Sequence, residues 1–158
     1  LDGQIAASVV SAPALGRRWW ASLEGGAYTG RSILSATQIH TSRVSQLSDA
    51  SLSYASINGW VESGRGQGFV DLMRECWRSR GYGDFWSYML VAEGAVDIAC
   101  EPELALYDMA ALDIIVREAG GRFTSIDGKP GPYHGNALAT NGLLHDIVLE
   151  RLRPSEAG

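Results

Sequence analysis

This chain is short of cysteine, of long apolar runs and of concentrated positive charge, and each shortage removes a class of protein. Only Cys76 and Cys100 occur in its 158 residues. Neither a disulfide framework nor a thiolate metal site is expected, and a reducing, cytoplasmic setting fits. No apolar stretch approaches the roughly 18 residues that a membrane span needs. The formal net charge is −5, with no Lys/Arg stripe and no aromatics alternating with basic residues, so neither nucleic acid nor a membrane is an expected partner. There is no Gly-x-Ser-x-Gly elbow, the glycine run Gly64-Arg65-Gly66-Gln67-Gly68 lacks a Gly-Lys-Ser/Thr ending, and no dinucleotide fingerprint follows a strand. His40, His134 and His145 have no metal-ligand spacing and are expected at the surface or in caps.

What remains is an ordinary globular composition, 46% apolar and 20% charged. A chain of this length suits one domain, or one domain with a piece of another, and buries roughly 70% of its unfolded surface. It opens on Leu1 with no leader pattern. The apolar run that starts abruptly after Asp2-Gly3 predicts a partner strand upstream. Residues 1–48 read as the end of an antiparallel sheet, with strands at 5–10 and 17–22 and extended pieces near 27–28 and 33–37. Residues 49–158 read as a layered α/β domain. Its predicted elements are a strand at 51–57 and a helix burying Phe69, Leu72, Met73, Cys76 and Trp77. A helix from an Asp84 N-cap to Gly94 and a strand at 96–101 follow. After a helix beginning at Asp108 and ending at Gly120-Gly121 come strands at 122–126 and 137–140. A last helix turns Leu144, Ile147, Val148 and Leu152 inward, and residues after Arg153 should fray.

Two carboxylates sit at the mouth of one strand-loop-helix unit. Glu101 closes a strand just before Pro102, where ligands of open α/β sheets bind, and Asp108 opens the next helix. Oxygen donors beside helical N–H groups suit a hard cation and the anion it carries. Each also has a plain reading. Asp108 could simply cap its helix, a stabilisation of about 0.5–2 kcal/mol over Ala that is compatible with metal ligation, and Glu101 could be a solvated loop carboxylate. Asp97 lies on the same strand face roughly 13 Å from Glu101, too far to share an ion, and is expected deeper or paired with an Arg. Gly81-Tyr82-Gly83-Asp84 offers backbone N–H groups at a further helix start.

The ordered set Arg78-Ser79-Arg80-Gly81-Tyr82-Gly83-Asp84, Val91-Ala92-Glu93-Gly94-Ala95-Val96-Asp97, Glu101, Tyr107-Asp108-Met109-Ala110-Ala111 and Ile115-Val116-Arg117-Glu118-Ala119-Gly120-Gly121 resembles the inositol monophosphatase superfamily. Within it, Tyr82-Gly83-Asp84-Phe85-Trp86-Ser87-Tyr88, Ser11-Ala12-Pro13-Ala14 and Arg18-Trp19-Trp20-Ala21 look most like the members that hydrolyse histidinol phosphate. The resemblance implies an α-β-α-β-α layered fold and a Mg2+-dependent phosphomonoesterase acting on a small phosphate monoester in histidine biosynthesis. It implies Asp108 as a metal ligand, Glu101 as a contact to the alcohol portion of the substrate, and Arg80, Tyr82, Gly83 and Asp84 around that portion. Histidinol phosphate presents an ammonium and an imidazole, so acidic groups at 84 and 101 make physical sense.

The family's first metal motif, Asp-Pro-Ile/Leu-Asp-Gly-Thr, does not occur in this sequence. The chain is therefore expected to be the C-terminal portion of the enzyme, or one half of it, and inactive alone. Hydrolysis of inositol phosphate or another sugar phosphate is the nearest alternative, and a catalytically silent interaction module is another. A homodimer is also expected, with Trp19-Trp20 a candidate contact although core packing is their commoner fate.

Overall fold

The computed structural model describes residues 3–154. Asp2 of the Asp2-Gly3 turn, and residues 155–158 of the tail expected to fray, lie outside the described residues. The first sheet is an antiparallel meander of β1 (Ala7–Ala12), β2 (Arg17–Ser22), β3 (Gly26–Gly30) and β4 (Thr37–Ile39), paired in chain order. Period-2 alternation turns Trp19, Ala21, Ala27 and Ile39 into the core. Trp19 is thus an interior residue, while Trp20 stacks on Tyr28 across the β2–β3 pair, with ring centroids 6.3 Å apart. The expected extended piece at 33–37 is different. Ile33–Ser35 is a 3-10 turn, because Ser35 Oγ accepts the Ser32 N–H at 3.3 Å and gives the backbone an alternative to a ladder.

The second sheet begins at β5 (Ser51–Ser53). After it come α1 (Ile57–Glu62), α2 (Gly66–Glu75), β6 (Arg78–Arg80), α3 (Asp84–Ala92), β7 (Ile98–Glu101), α4 (Leu106–Glu118), β8 (Arg122–Thr124), β9 (Ala137–Thr140) and α5 (His145–Arg151). The strand order is β6-β5-β7-β9-β8; β5 runs parallel to both β6 and β7, and β9 runs antiparallel to β7 and β8. The strand expected at 51–57 stops at Ser53, because Ser56 Oγ accepts the Asn58 N–H and starts α1. The next helix ends at Glu75, so Cys76 is buried beyond its end, whereas Trp77, expected inward, is 64% exposed with Arg78 over its ring.

The strands of the second sheet place large and small residues on opposite faces. Leu52, Ile98, Cys100 and Leu138 pack against Trp60, Phe69, Leu72 and Val148 of α1, α2 and α5 and against Leu152 just beyond α5. Ala99, Ala137 and Ala139 face α3 and α4, which pack in turn against the first sheet. Sheet, helix pair, sheet and helix layer follow one another. α3 and α4 therefore need apolar residues nearly all round, and α4 buries Met109, Leu112, Ile114, Ile115 and Val116.

Polar ties fix this stack. Glu93 at the end of α3 accepts from the Trp19 indole N–H and from Arg17. Glu118 of α4 accepts the Glu24 and Gly26 N–H groups of the β2–β3 turn at 2.9 and 3.0 Å. Asp97 is buried as expected, but its partners are the Ser51 N–H at 2.6 Å and the Ser42 hydroxyl, not an Arg. His145 is not at the surface. It is fully buried between the hydroxyls of Thr124 and Thr140, at 2.9 and 3.0 Å. His40 and His134 are exposed.

Candidate active site

The carboxyl ends of the parallel strands β5 and β7 point to one edge of the second sheet, and the loops leaving them make the floor of a cavity of about 670 Å³. Glu101, the last residue of β7, sits in this floor. Its Oε1 accepts the N–H of Ala55, two residues beyond β5, so adjacent strand ends hold the carboxyl in place. Asp84 enters the wall from the start of α3, and Asp108 from the first turn of α4. Glu103 adds a fourth carboxyl. No Lys or Arg lines the cavity among the described residues.

Asp108 is the third residue of α4, where the sequence predicted a helix start. Its Oδ2 accepts the Ala105 N–H at 3.1 Å, fixing the side chain against the backbone before the helix. Its Oδ1 has no hydrogen-bond partner among the described residues, and the residue is exposed. Asp84 is not the N-cap but the first residue of α3, after Gly83. Both take left-handed backbone angles, with φ of 77° at Gly83 and 47° at Asp84. Asp is one of the few side chains that tolerates this region, so the turn aims a carboxyl that a β-branched residue could not supply.

Burial pushes the Glu101 carboxyl up to about 7. The Ala55 N–H opposes this by favouring the ionised form, and the nearby Asp84 charge adds to the rise.

Of the residues singled out from sequence, Asp84, Glu101 and Asp108 share the cavity. Tyr82 and Gly83 line an adjoining cleft that also includes Asp84. Arg80 lines neither; it is exposed, and its Nη1 donates to the Ser79 carbonyl at 2.8 Å. Sequence reasoning passed over Ala55 and Glu103, and it quoted Tyr107 beside Asp108 without giving it a role. Ala55 follows a strand and could have been found by the strand-end rule. Among the described residues no group of three His, Cys, Asp or Glu side chains converges closely enough to hold a metal ion alone. The carboxylates line walls; they do not meet at a point.

Residues 1–156 match the model of the inositol monophosphatase family. A Streptomyces coelicolor protein named histidinol-phosphatase is 64% identical over 141 residues, covering 89% of this chain and 53% of that protein. A Mycobacterium tuberculosis histidinol-phosphatase is 55% identical over 151 residues, covering 96% and 58%. The chain thus spans a little over half the length of these relatives. Among solved structures, an IMPase from Thermotoga maritima superposes with a TM-score of 0.82 at 28% identity, covering 95% of this chain and 56% of that one. From the matched motif order to the superposed layers, the chain belongs to the inositol monophosphatase family.

Proposed function

We propose that the polypeptide containing residues 1–158 is a Mg2+-dependent phosphomonoesterase that hydrolyses histidinol phosphate to histidinol and phosphate in histidine biosynthesis. One observation carries this reading: four carboxylates and no cationic side chain line the cavity among the described residues. A phosphate dianion is repelled by such a wall unless cations accompany it. A metal ion supplies one positive partner, and the ammonium of histidinol supplies another. The names of the relatives at 64% and 55% identity support this alcohol over a polyol.

The inositol monophosphatase family is metal-dependent. The free Oδ1 of Asp108, on a side chain steadied by Ala105, fits one hard-oxygen position of a Mg2+ sphere and not a whole one. When bound, the ion supplies Lewis-acid polarisation of the phosphoryl oxygens. Glu101, anchored by Ala55, presents its other oxygen to the alcohol, and an arriving ammonium favours its ionised form. Tyr82, Gly83 and Asp84 wall the alcohol side. Arg80 would have to leave the Ser79 carbonyl to reach an ester. The acidic net charge and the two buried free cysteines support a small-molecule partner and a cytoplasmic location. A homodimer belongs to the same reading.

The test is phosphate release by the complete polypeptide from histidinol phosphate and from inositol 1-phosphate across a Mg2+ titration. Release should require the ion and show the higher kcat/KM with histidinol phosphate. Asp108→Asn should lower kcat by about a hundredfold or more. A preference for the inositol ester overturns the substrate, and an undiminished rate in the variant overturns the ligand role.

A further inference from the structure

Two hydroxyls interrupt the face of the second sheet on which α3 rides. Ser53 of β5 and Ser87 of α3 are both fully buried, and their Oγ atoms lie 2.7 Å apart. The other strand residues that face this helix layer, Ala99, Ala137 and Ala139, end in methyl groups. Alanine would fill either serine position at nearly the same volume with no polar atom to desolvate, so packing alone does not call for the pair. Its place in the chain does. Ser53 pairs with Ala99 in the parallel ladder, and two residues further along Ala55 holds the Glu101 carboxyl. Ser87 stands one helical turn after Asp84, and its N–H donates to the Gly83 carbonyl at 3.4 Å, closing that turn with a long bond. The turn also contains the two successive left-handed residues Gly83 and Asp84, a conformation that persists only where its surroundings over-determine it.

We propose that Ser53 and Ser87 are positioning residues: their hydrogen bond locks the first turn of α3 to the strand beside Glu101 and so fixes Asp84 against Glu101 across the cavity. In its consequence for the substrate the inference rests on the proposed phosphatase reading and deepens it. Neither serine lines the cavity, so both act through the carboxylates they place. A buried hydrogen bond of this kind selects one arrangement of two elements more than it stabilises the fold as a whole. Asp108 rides on α4, which the pair does not join, so the pair acts on the binding of the alcohol and not on the phosphoryl chemistry.

The experiment uses the complete polypeptide and compares Ser53→Ala, Ser87→Ala and the double variant. Each single change leaves one buried hydroxyl unpaired and the double change leaves none, so the double variant should unfold at a higher urea concentration than either single one. With Mg2+, the double variant should raise the KM for histidinol phosphate about three- to tenfold and leave kcat within about twofold. An unchanged KM overturns the proposal. The second readout is the Glu101 carboxyl, followed by carbon-13 NMR in the metal-free polypeptide. Asp84, Glu103, Asp108, Tyr88 and Tyr107 are the titratable side chains that share its cavity, and the Asp84 charge helps to hold it up. Asp84→Asn should therefore lower its midpoint in the unsubstituted protein. The double variant should lower it as well, as Asp84 recedes, and Asp84→Asn should then add little. A midpoint unmoved in the double variant overturns the proposal. If the unsubstituted polypeptide hydrolyses no histidinol phosphate, the phosphatase reading is what fails, and the NMR titration, which needs neither metal nor ester, judges the pair by itself.

Discussion

Glu101 carries a carboxyl whose protonation changes at about pH 7, because burial outweighs the Ala55 N–H that favours its charge. Below that pH it is neutral and offers a cationic alcohol only a hydrogen bond; above it, an ion pair. The KM for histidinol phosphate should therefore fall as pH rises through about 7. Glu101→Gln should flatten that limb and raise KM at pH 8 about tenfold, read by steady-state kinetics. His145 titrates in the other direction. Burial pushes it down to about 4, Arg122 pushes the same way, and Asp146 opposes. The unfolded chain takes up this proton near 6.5 and the folded one only near 4, so the stability is fully present above pH 6.5 and lost as pH falls toward 4. The loss is on the order of 3 kcal/mol, and urea titrations of His145→Gln should show that window flattened. Glu101 was legible because Pro102 marked a strand end. His145 was not, because Thr124 and Thr140 come from separate strands and no nearby residue announces them.

The long elements were legible and the short polar ones were not. α3 declared itself through continuous apolar surface and α4 through one apolar face between Asp108 and Gly120-Gly121, and the structure uses both between its sheets. β6 reads Arg78-Ser79-Arg80, without alternation, and is a strand only because β5 offers a parallel edge. α1 is six residues long and was not read from the sequence, the strand expected at 51–57 taking in only its first residue, Ile57. The start of α3 shows what an element can owe to one residue. A Cβ at Gly83 would meet nothing closer than the Ala55 Cβ at 3.9 Å, yet φ there is 77°. Gly83→Ala should therefore cost about 1–3 kcal/mol through backbone conformation alone, measured by denaturant unfolding. It should also disturb the direction of the Asp84 carboxyl.

Across the whole molecule, the sequence motifs indicated which residues would gather. Asp84, Glu101 and Asp108 do line one cavity, while the absence of a converging metal-binding triad among the described residues follows from three-dimensional placement. Residues 1–158 prepared alone should show no Mg2+-dependent phosphate release from histidinol phosphate, and a measurable Mg2+-dependent rate would disprove this. The division of the second sheet into a bulky face and an alanine face bears on the same chemistry. Three methyl side chains, at Ala99, Ala137 and Ala139, set the gauge at which α3 and α4 ride, and those helices carry Asp84 and Asp108. Enlarging any of the three would spoil the alignment of acids it never touches, and turnover would decline in a protein whose every reacting group was still in its sequence.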